Sequence, residues 1–466
     1  MSDVTGAKER GVDERAGRTQ LFEVSTLYGA ATLAAAIDAG LFEPARRVLL
    51  VSNNATVPEA AAALEEMTGW DRVVTRFDTV VSWNDTIYPN HPSLWAPEPA
   101  DVPVWDRLLR GAWGIGDGPL DLVVESVHAK PAAALAEIFA DASVEVYADG
   151  LMSYGPTRER LQWPTACRIR RLLHLDLIPG LAPMLLSEYE VPARVVPDAA
   201  FRAVLDEISG AAAPEAREAA PAGGRTAVLL GQYLAALNIL TAAEEESLHE
   251  RMLRGAAAAG CGTVVFKPHP TAPAQYSRTL EKAAADAGVR LTVLTEPMLA
   301  ETVFDRFRPD LVVGCFSTAL LTASAYYGVP IARVGTELVL SRLRPFQNSN
   351  RVPVTLVDAF LPDLEEERAG RVVTADTEAG AALQPLVRVI GFTMQPRMHA
   401  ALRGEAERWL SEHQGGLAAR YVKRSRLTAL ALPGGFASGV AGQLPGRRAA
   451  LRFVRKVRGT AAKARR

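Results

Sequence analysis

Cysteine is scarce in this sequence, and the positions of the few cysteines exclude two kinds of site. The chain of 466 residues has three, Cys167, Cys261 and Cys315, which are widely separated and odd in number. Neither a metal-binding cluster nor a redox pair has this spacing, and the low count agrees with a reducing environment.

Long apolar runs are absent as well. No stretch of about 18 uncharged apolar residues is present, so the sequence predicts no membrane-spanning helix. The first 20 residues are polar and charged and lack the apolar centre of a signal peptide. We therefore expect a cytoplasmic protein. The hydrophobic fraction of 48% is typical of a globular chain, and the length predicts two domains or more.

Acidic residues are missing from the last part of the chain. Residues 415–466 contain 13 Lys and Arg and no Asp or Glu, which leaves the first 414 residues with a net charge of -15. This asymmetry favours an anionic partner for the tail.

Short Val/Leu-rich runs alternate with Ala-rich helical patterns in two halves of the chain. Examples are "QLFEVST" followed by "LYGAATLAAAIDAG", then "RRVLLVSNN" followed by "TVPEAAAALEEMTGW". This alternation is typical of parallel sheets with helical crossovers, and ligands bind at the carboxyl ends of such strands. We predict an α/β fold of two Rossmann-like domains facing across a cleft. The predicted segments are a disordered N-terminus at 1–18, an N-terminal α/β domain at 19–205, a linker at 206–225, a C-terminal α/β domain at 226–414 and a basic tail at 415–466.

The segment "VVFKPHPTAP" brings a cation and an imidazole to the end of a predicted strand. Lys267 and His269 alternate with Pro268 and Pro270, which stiffen the backbone and remove amide donors. A Lys beside a His at this position suits an anionic group such as a phosphate. The alternative is a surface turn with a solvated Lys.

The segment "PDLVVGCFSTALLTA" places hydroxyls where a strand passes into a helix. The strand ends at Gly314, and Ser317 and Thr318 stand at the start of the helix. Hydroxyls and N–H groups at a helix N-terminus can bind an anion. Ser and Thr are also the commonest N-cap residues, so a purely structural role is the alternative.

The segment "VYADGLMSYG" has one acid, Asp149, after a strand. It is either a turn aspartate or a general base at the cleft. No metal-ligand cluster is visible in the sequence. A phosphate would then be bound by Lys, His, hydroxyls and dipoles. The loop "NHPSLW", with His91, is interpreted as acceptor-side surface at best.

These motifs, taken in order, resemble those of the bacterial alpha-2,8-polysialyltransferase family, which is related to the lipooligosaccharide sialyltransferases. The matching residues are Asp149-Gly150, His269-Pro270 and Ser317-Thr318. The resemblance covers roughly residues 20 to 390 and includes the opening "FEVSTLYGAATLAAAI". One departure is Ala148, where the family usually has an acid.

The resemblance implies a GT-B-like glycosyltransferase that transfers sialic acid from a CMP-sugar to a glycan with inversion and without a metal or other cofactor. Asp149 would be the general base and His269 would stabilise the CMP phosphate. The donor would also contact Lys267, Pro270, Gly314, Ser317 and Thr318. Candidates for the cleft lining are Tyr28, Asn53, Gly150 and Tyr154.

Two alternatives are kept. One is a GT-B enzyme that uses another CMP-sugar or a UDP-sugar. The other is a catalytically silent protein that binds a CMP-sugar or glycan, which Ala148 favours. Envelope or capsule polysaccharide synthesis fits a tail that lies on the anionic inner face of the membrane, with Leu451, Phe453 and Val454 inserted. Nucleic acid is the less favoured partner.

Overall fold

A computed structural model describes residues 17–148, 150–211, 224–232, 234–268, 276–367, 370–371 and 377–436. The chain divides into two compact units, Met1–Val387 and Arg388–Arg466. The first unit contains two parallel sheets, each flanked by helices. The predicted α/β class is therefore confirmed, while the predicted domain boundaries stay a prediction.

The first sheet has seven parallel strands in the order β3-β2-β1-β4-β5-β6-β7. Its strands are β1 Thr19–Val24, β2 Arg46–Val51, β3 Thr79–Ser82, β4 Leu120–Val124, β5 Ser143–Ala148, β6 Ile169–His174 and β7 Ala193–Val195. The helices of this half are α1 Leu27–Asp38, α2 Trp70–Val73, α3 Trp83–Ile87, α4 Val102–Ala112, α5 Ala132–Ile138, α6 Trp163–Ala166 and α7 Asp198–Gly210.

The second sheet has five parallel strands in the order β10-β9-β8-β11-β12. They are β8 Arg225–Leu230, β9 Cys261–Lys267, β10 Arg290–Val293, β11 Leu311–Gly314 and β12 Ile331–Arg333. The accompanying helices are α8 Ala242–Ala258, α9 Tyr276–Ala287, α10 Ala300–Phe307, α11 Thr318–Tyr327, α12 Thr336–Arg342, α13 Arg351–Phe360 and α14 Leu364–Glu367. Helix α15, Thr377–Met394, crosses the boundary between the units, and the second unit adds α16 Arg403–Glu412, α17 Leu417–Tyr421 and α18 Arg424–Leu430.

Local sequence signals explain where several helices begin. The Thr26 hydroxyl accepts a hydrogen bond from the Gly29 amide at the start of α1. At α8 the side chains of Thr241 and Glu244 form a reciprocal capping box. Caps of this kind satisfy amides that have no partner within the helix.

Two expectations about secondary structure are wrong. The segment "TVPEAAAALEEMTGW" was expected to be one helix, but it forms two single turns, Pro58–Ala60 and Leu64–Glu66, before α2. The Asn53 side chain holds the start of this segment, because it donates to the Pro58 carbonyl and accepts from the Ala55 amide. Helix α7 also extends to Gly210, past the predicted start of the linker at residue 206, because its apolar face is buried.

A carboxylic acid lies in the buried central strand β1. Every residue of this strand is buried, and Glu23 is only 2% exposed. The Glu125 amide donates to Glu23 Oε2 at 3.5 Å. Burial nevertheless raises the pKa of Glu23 to about 7, because desolvation disfavours the charged form.

Replacing this acid should change how stability depends on pH. The folded-state pKa of Glu23 is raised, so protonated Glu23 contributes to the free energy of unfolding at low pH. The wild type loses this contribution as the pH rises from about 4.5 to about 7. Glu23→Gln keeps an acceptor oxygen and should escape this loss, which amounts to about 3 kcal/mol. We expect urea midpoints of the two proteins to agree near pH 4.5 and to diverge by pH 8. Glu137→Gln, at an exposed carboxylate on α5, is the control, and its urea midpoints should follow those of the wild type. If the midpoints of Glu23→Gln change with pH in parallel with the wild type, the raised pKa of Glu23 is contradicted.

Candidate active site

The carboxyl ends of strands from both sheets come together at Gly150 and Thr318. The Leu151 amide donates to Thr318 Oγ1 at 3.4 Å. A Cβ atom at Gly150 would lie 2.6 Å from the same oxygen, closer than side chains approach, so glycine permits this contact. Gly150 has an extended backbone, so the requirement is for space and not for an unusual dihedral angle. The motifs at 150 and 318, distant in sequence, therefore share one location.

Ser317 and Gly314 have structural roles at this edge. Ser317 is the N-cap of α11, and its hydroxyl accepts from the Ala319 amide at 3.3 Å. The Phe316 amide donates to Gln232 Oε1 at 2.9 Å. A Cβ at Gly314 would lie 3.4 Å from the Leu230 Cβ, so glycine fits a tightly packed strand end. The hydroxyl hydrogen of Ser317 remains available to a ligand while the oxygen caps the helix.

Lys267, at the end of β9, lies in an acidic and poorly hydrated environment. Burial lowers the pKa of its ammonium group, and the nearby Glu301 carboxyl opposes that shift. Glu301 is 2% exposed, accepts from Thr322 Oγ1 at 2.6 Å, and has its own pKa raised by burial. Sequence reasoning missed Glu301 and Thr322, because a Glu and a Thr within helices give no local signal of the side chain that each will contact.

The two predicted catalytic residues, Asp149 and His269, lie outside the described residues, as does Pro270. The described residue before Asp149 is Ala148, which ends β5. The described residues before His269 are Lys267 and Pro268. Ala148 is 6% exposed and belongs to the apolar core of the first sheet, so the side chain at this position contributes to packing.

The neighbouring strand end carries polar groups that the motifs did not indicate. The Ser25 hydroxyl donates to Glu125 Oε2 at 3.1 Å, and the Tyr147 hydroxyl donates to the Glu23 carbonyl at 3.1 Å. Glu125 follows β4, the strand that pairs with β5. A signal was available, because in "LDLVVES" the acid Glu125 directly follows the apolar run that forms β4.

The remaining cleft candidates occupy different environments. Tyr154 is fully buried, and its hydroxyl accepts from the Ile178 amide at 3.1 Å. Tyr28 is half-buried and packs edge-to-face against Phe201, with ring centroids 5.3 Å apart. Asn53 lines a cavity of about 560 Å³ at the carboxyl ends of β2 and β3. The cavity also includes His91, which sequence reasoning assigned to acceptor-side surface.

The described residues contain neither a candidate metal cluster nor a candidate membrane-spanning helix. Within them, no group of three or more His, Cys, Asp or Glu side chains could hold a metal ion. In the same part of the chain, no helix is both long and apolar enough to cross a bilayer.

Comparison with known proteins identifies the family. A family model described as alpha-2,8-polysialyltransferase (POLYST) matches residues 20–336. No curated protein matches the sequence. Membership in this family implies a nucleotide-sugar donor and a glycan acceptor.

Solved structures show only a distant likeness. The 2,6-sialyltransferase of Photobacterium sp. JT-ISH-224, in complex with CMP and lactose, is 11% identical with a TM-score of 0.38, and the match covers 74% of this chain and 76% of that one. The GT-B domain of a Photobacterium damselae sialyltransferase is 10% identical with a TM-score of 0.39, covering 73% and 96%. Acinetobacter baumannii MurG is 11% identical with a TM-score of 0.37, covering 83% and 98%. Identities and TM-scores this low do not indicate a shared function. The family model, however, spans more than half of the sequence and includes all three strand-end motifs, so the chain belongs to the alpha-2,8-polysialyltransferase family and is a glycosyltransferase of sialic acid.

Proposed function

We propose that the protein transfers sialic acid, or a related nonulosonic acid, from a CMP-sugar to a glycan acceptor with inversion and without a metal ion. The observation that carries the proposal is the contact between Gly150 and Thr318. It places the residue after Asp149 against the first residue of α11, whose N-terminus suits a phosphate. The expected base and the expected phosphate site thus belong to adjacent backbone segments.

Each residue then has a role in a balanced displacement. The acceptor oxygen forms a bond to the anomeric carbon as the bond from that carbon to the CMP phosphate breaks. Asp149 takes the proton from the acceptor hydroxyl, a contribution of about 10²–10⁴-fold. His269 and the hydroxyls of Ser317 and Thr318 stabilise the negative charge that develops on the leaving phosphate. Lys267 adds positive charge at the end of β9.

Ala148 favours one alternative, a silent protein that binds a CMP-sugar or glycan without turnover. An alanine that packs in the apolar core stands where the family usually has an acid, so this strand end lacks that acid. An enzyme that uses another CMP-sugar or a UDP-sugar is the second alternative. Turnover of a sugar nucleotide would exclude the silent protein. Rates measured with a panel of CMP- and UDP-sugars would decide whether the enzyme uses another donor.

Release of CMP from CMP-sialic acid, measured with chelator present, tests the catalytic assignment. We expect wild type to release CMP, and Asp149→Asn and His269→Ala each to lose about 10²-fold or more in kcat. Asp149→Asn should still bind CMP, which separates lost chemistry from lost folding. Activity that needs a divalent ion, or that survives in Asp149→Asn, would contradict the mechanism.

Substitutions at Gly150 separate the structural contact from the catalytic hydroxyl. Gly150→Ala introduces a methyl group against Thr318 Oγ1 and should cost about 1–3 kcal/mol of stability. Adding Thr318→Ala removes that oxygen, so the double variant should recover the urea midpoint but not the rate of CMP release. Gly111→Ala on α4, where a Cβ would meet nothing within 4 Å, is the control. It should keep both the urea midpoint and the rate of CMP release of the wild type. Recovery of full activity in the double variant would show that the Thr318 hydroxyl has no catalytic part.

The basic tail at 415–466 is proposed to bind the anionic inner face of the membrane, which would place the enzyme near envelope glycan acceptors. The supporting observation is 13 basic residues without an acid. The segment "AALRFVRKV" lies outside the described residues.

Vesicle sedimentation of the full chain tests this location. We expect binding to phosphatidylserine vesicles that weakens with salt. Substituting Arg452, Arg455, Lys456 and Arg458 with Gln should reduce binding at least about tenfold, since each basic group near the surface contributes about 1 kcal/mol. Equal binding to uncharged vesicles, or a preference for duplex DNA, would overturn the proposal.

A further inference from the structure

One buried acid lies between the two motifs that are expected to bind the donor phosphate. Glu301 is the second residue of α10 and is 2% exposed. It lies near Lys267 at the end of β9 and contacts Thr322 on α11, the helix that begins at Thr318. The proposed chemistry gives this acid no role, although both of its neighbours belong to elements that carry expected donor-binding residues.

The contact with Thr322 has the geometry of a hydrogen bond to an ionised carboxylate. Thr322 Oγ1 donates to Glu301 Oε1 at 2.6 Å, whereas the Ala319 carbonyl is farther from that hydroxyl, at 3.2 Å. Distances of about 2.5–2.7 Å are typical of a hydroxyl that donates to a carboxylate. Glu301 also stands in the first turn of α10, where the helix dipole favours negative charge. These surroundings stabilise the charged form of Glu301 against desolvation.

The same hydrogen bond fixes α11 one turn beyond its first residue. Thr318 and Thr322 are four residues apart and therefore lie on one side of the helix. Thr318 contacts the first half of the unit through the Leu151 amide, and Thr322 contacts α10 through Glu301. The buried acid therefore helps to set the position of the hydroxyl groups at the start of α11.

Lys267 depends on this acid because it is poorly hydrated. Burial lowers the pKa of the Lys267 ammonium group, and the Glu301 carboxyl opposes the shift. The backbone at this point is fixed, since the Gly231 amide donates to the Lys267 carbonyl at 2.9 Å. Removing the negative charge of Glu301 would therefore let Lys267 lose its proton at a lower pH while the end of β9 stays in place.

The other titratable side chains that interact with Glu301 lie on α11 and keep their protons where Lys267 titrates. Burial raises the pKa of the Tyr326 and Tyr327 phenols well above their usual range, and Glu301 adds to both shifts. The phenol pKa values are raised while the ammonium pKa is lowered, so the two kinds of group titrate in separate pH ranges.

We propose that Glu301 is a positioning residue of the donor-phosphate site: it anchors α11 through Thr322 and supplies the negative charge that keeps Lys267 cationic before the phosphate arrives. This inference rests on the proposed function and deepens it, because it adds to the donor side a residue that no sequence motif marks. The pair of Glu301 and Lys267 has no net charge, so the ammonium group is ready for the phosphate without an excess of buried positive charge.

The pH dependence of CMP binding tests this role without relying on turnover. Wild type should lose CMP affinity at alkaline pH, as Lys267 loses its proton. Glu301→Gln keeps an oxygen acceptor for Thr322 but removes the charge, so the loss should begin at a lower pH. Equilibrium dialysis with CMP between about pH 6 and pH 10 measures these affinities.

Lys267→Arg identifies the group that titrates. Its guanidinium stays charged over the whole range, so this variant should lack the alkaline loss and should report only the other titrations, including those of CMP and His269. The double variant Glu301→Gln/Lys267→Arg should give the same curve shape as Lys267→Arg. An acid with a merely structural role would not make its effect depend on the residue at 267.

Substitutions at Thr322 test the same link without changing residue 301. Thr322→Val removes the hydroxyl with little change in volume, so the buried carboxylate loses a donor that favours its charged form. The alkaline loss should then shift in the same direction as in Glu301→Gln, but by less, and Thr322→Ser should restore the wild-type curve. Glu281→Gln, at an exposed carboxylate on α9, is the matched control and should leave the curve unchanged.

The results separate this inference from the proposed function. If CMP binding shows the expected shifts but no CMP is released from CMP-sialic acid, only the proposed function fails. If wild type releases CMP and Glu301→Gln keeps the alkaline loss of wild type, the inference alone is overturned. It is also overturned if Glu301→Gln shifts the curve equally in the Lys267→Arg background, or if wild type does not bind CMP.

Discussion

Thr318 Oγ1 lies so close to the backbone of residue 150 that a single added carbon would stand 2.6 Å from it. This steric limit sets how closely the two halves of the first unit approach at this point. Because glycine has no Cβ, the end of β5 reaches the first turn of α11, and the Leu151 amide donates to the Thr318 hydroxyl. If the end of β5 and the first turn of α11 were farther apart, the strand ends of one sheet would face solvent. They would then not face the other sheet.

Each half contributes a different electrostatic character to the region. In the first half, Glu23 is buried and Glu125 follows β4. In the second half, the buried Arg333 is paired with Asp363 at 2.6 Å and lies 3.5 Å from Asp358, while Lys267 lies near Glu301. Pairing in the second half keeps positive groups in place despite desolvation.

Much of the fold was readable from the sequence, because buried strands of parallel sheets are short apolar runs. Strands β1, β2, β4 and β5, the five strands of the second sheet and α1 follow from such local patterns, whereas β3, β6 and β7 were not predicted. The motifs at 150 and 318 were expected at strand ends, and the contact between them is a finding of the structure. The helix expected from "TVPEAAAALEEMTGW" was wrong, since Asn53 and Asn84 fix this Ala-rich segment through contacts that periodicity does not reveal. Glu301 was missed for a related reason: its contact with Thr322 depends on how α10 and α11 pack, which the sequence does not state. The roles of Asp149 and His269 stay predictions.

The buried acid in β1 also has a calorimetric consequence. Near pH 6 the folded chain keeps Glu23 protonated, whereas the unfolded chain ionises it, so the Glu23 side chain releases about one proton on unfolding. That proton is taken up by the buffer, and the heat of buffer protonation is included in the measured enthalpy. Glu23 therefore makes the unfolding enthalpy depend on the choice of buffer. The slope of enthalpy against buffer ionisation heat gives the net number of protons exchanged, in which the proton released by Glu23 is offset by uptake at buried histidines such as His249, whose pKa burial lowers to about 4.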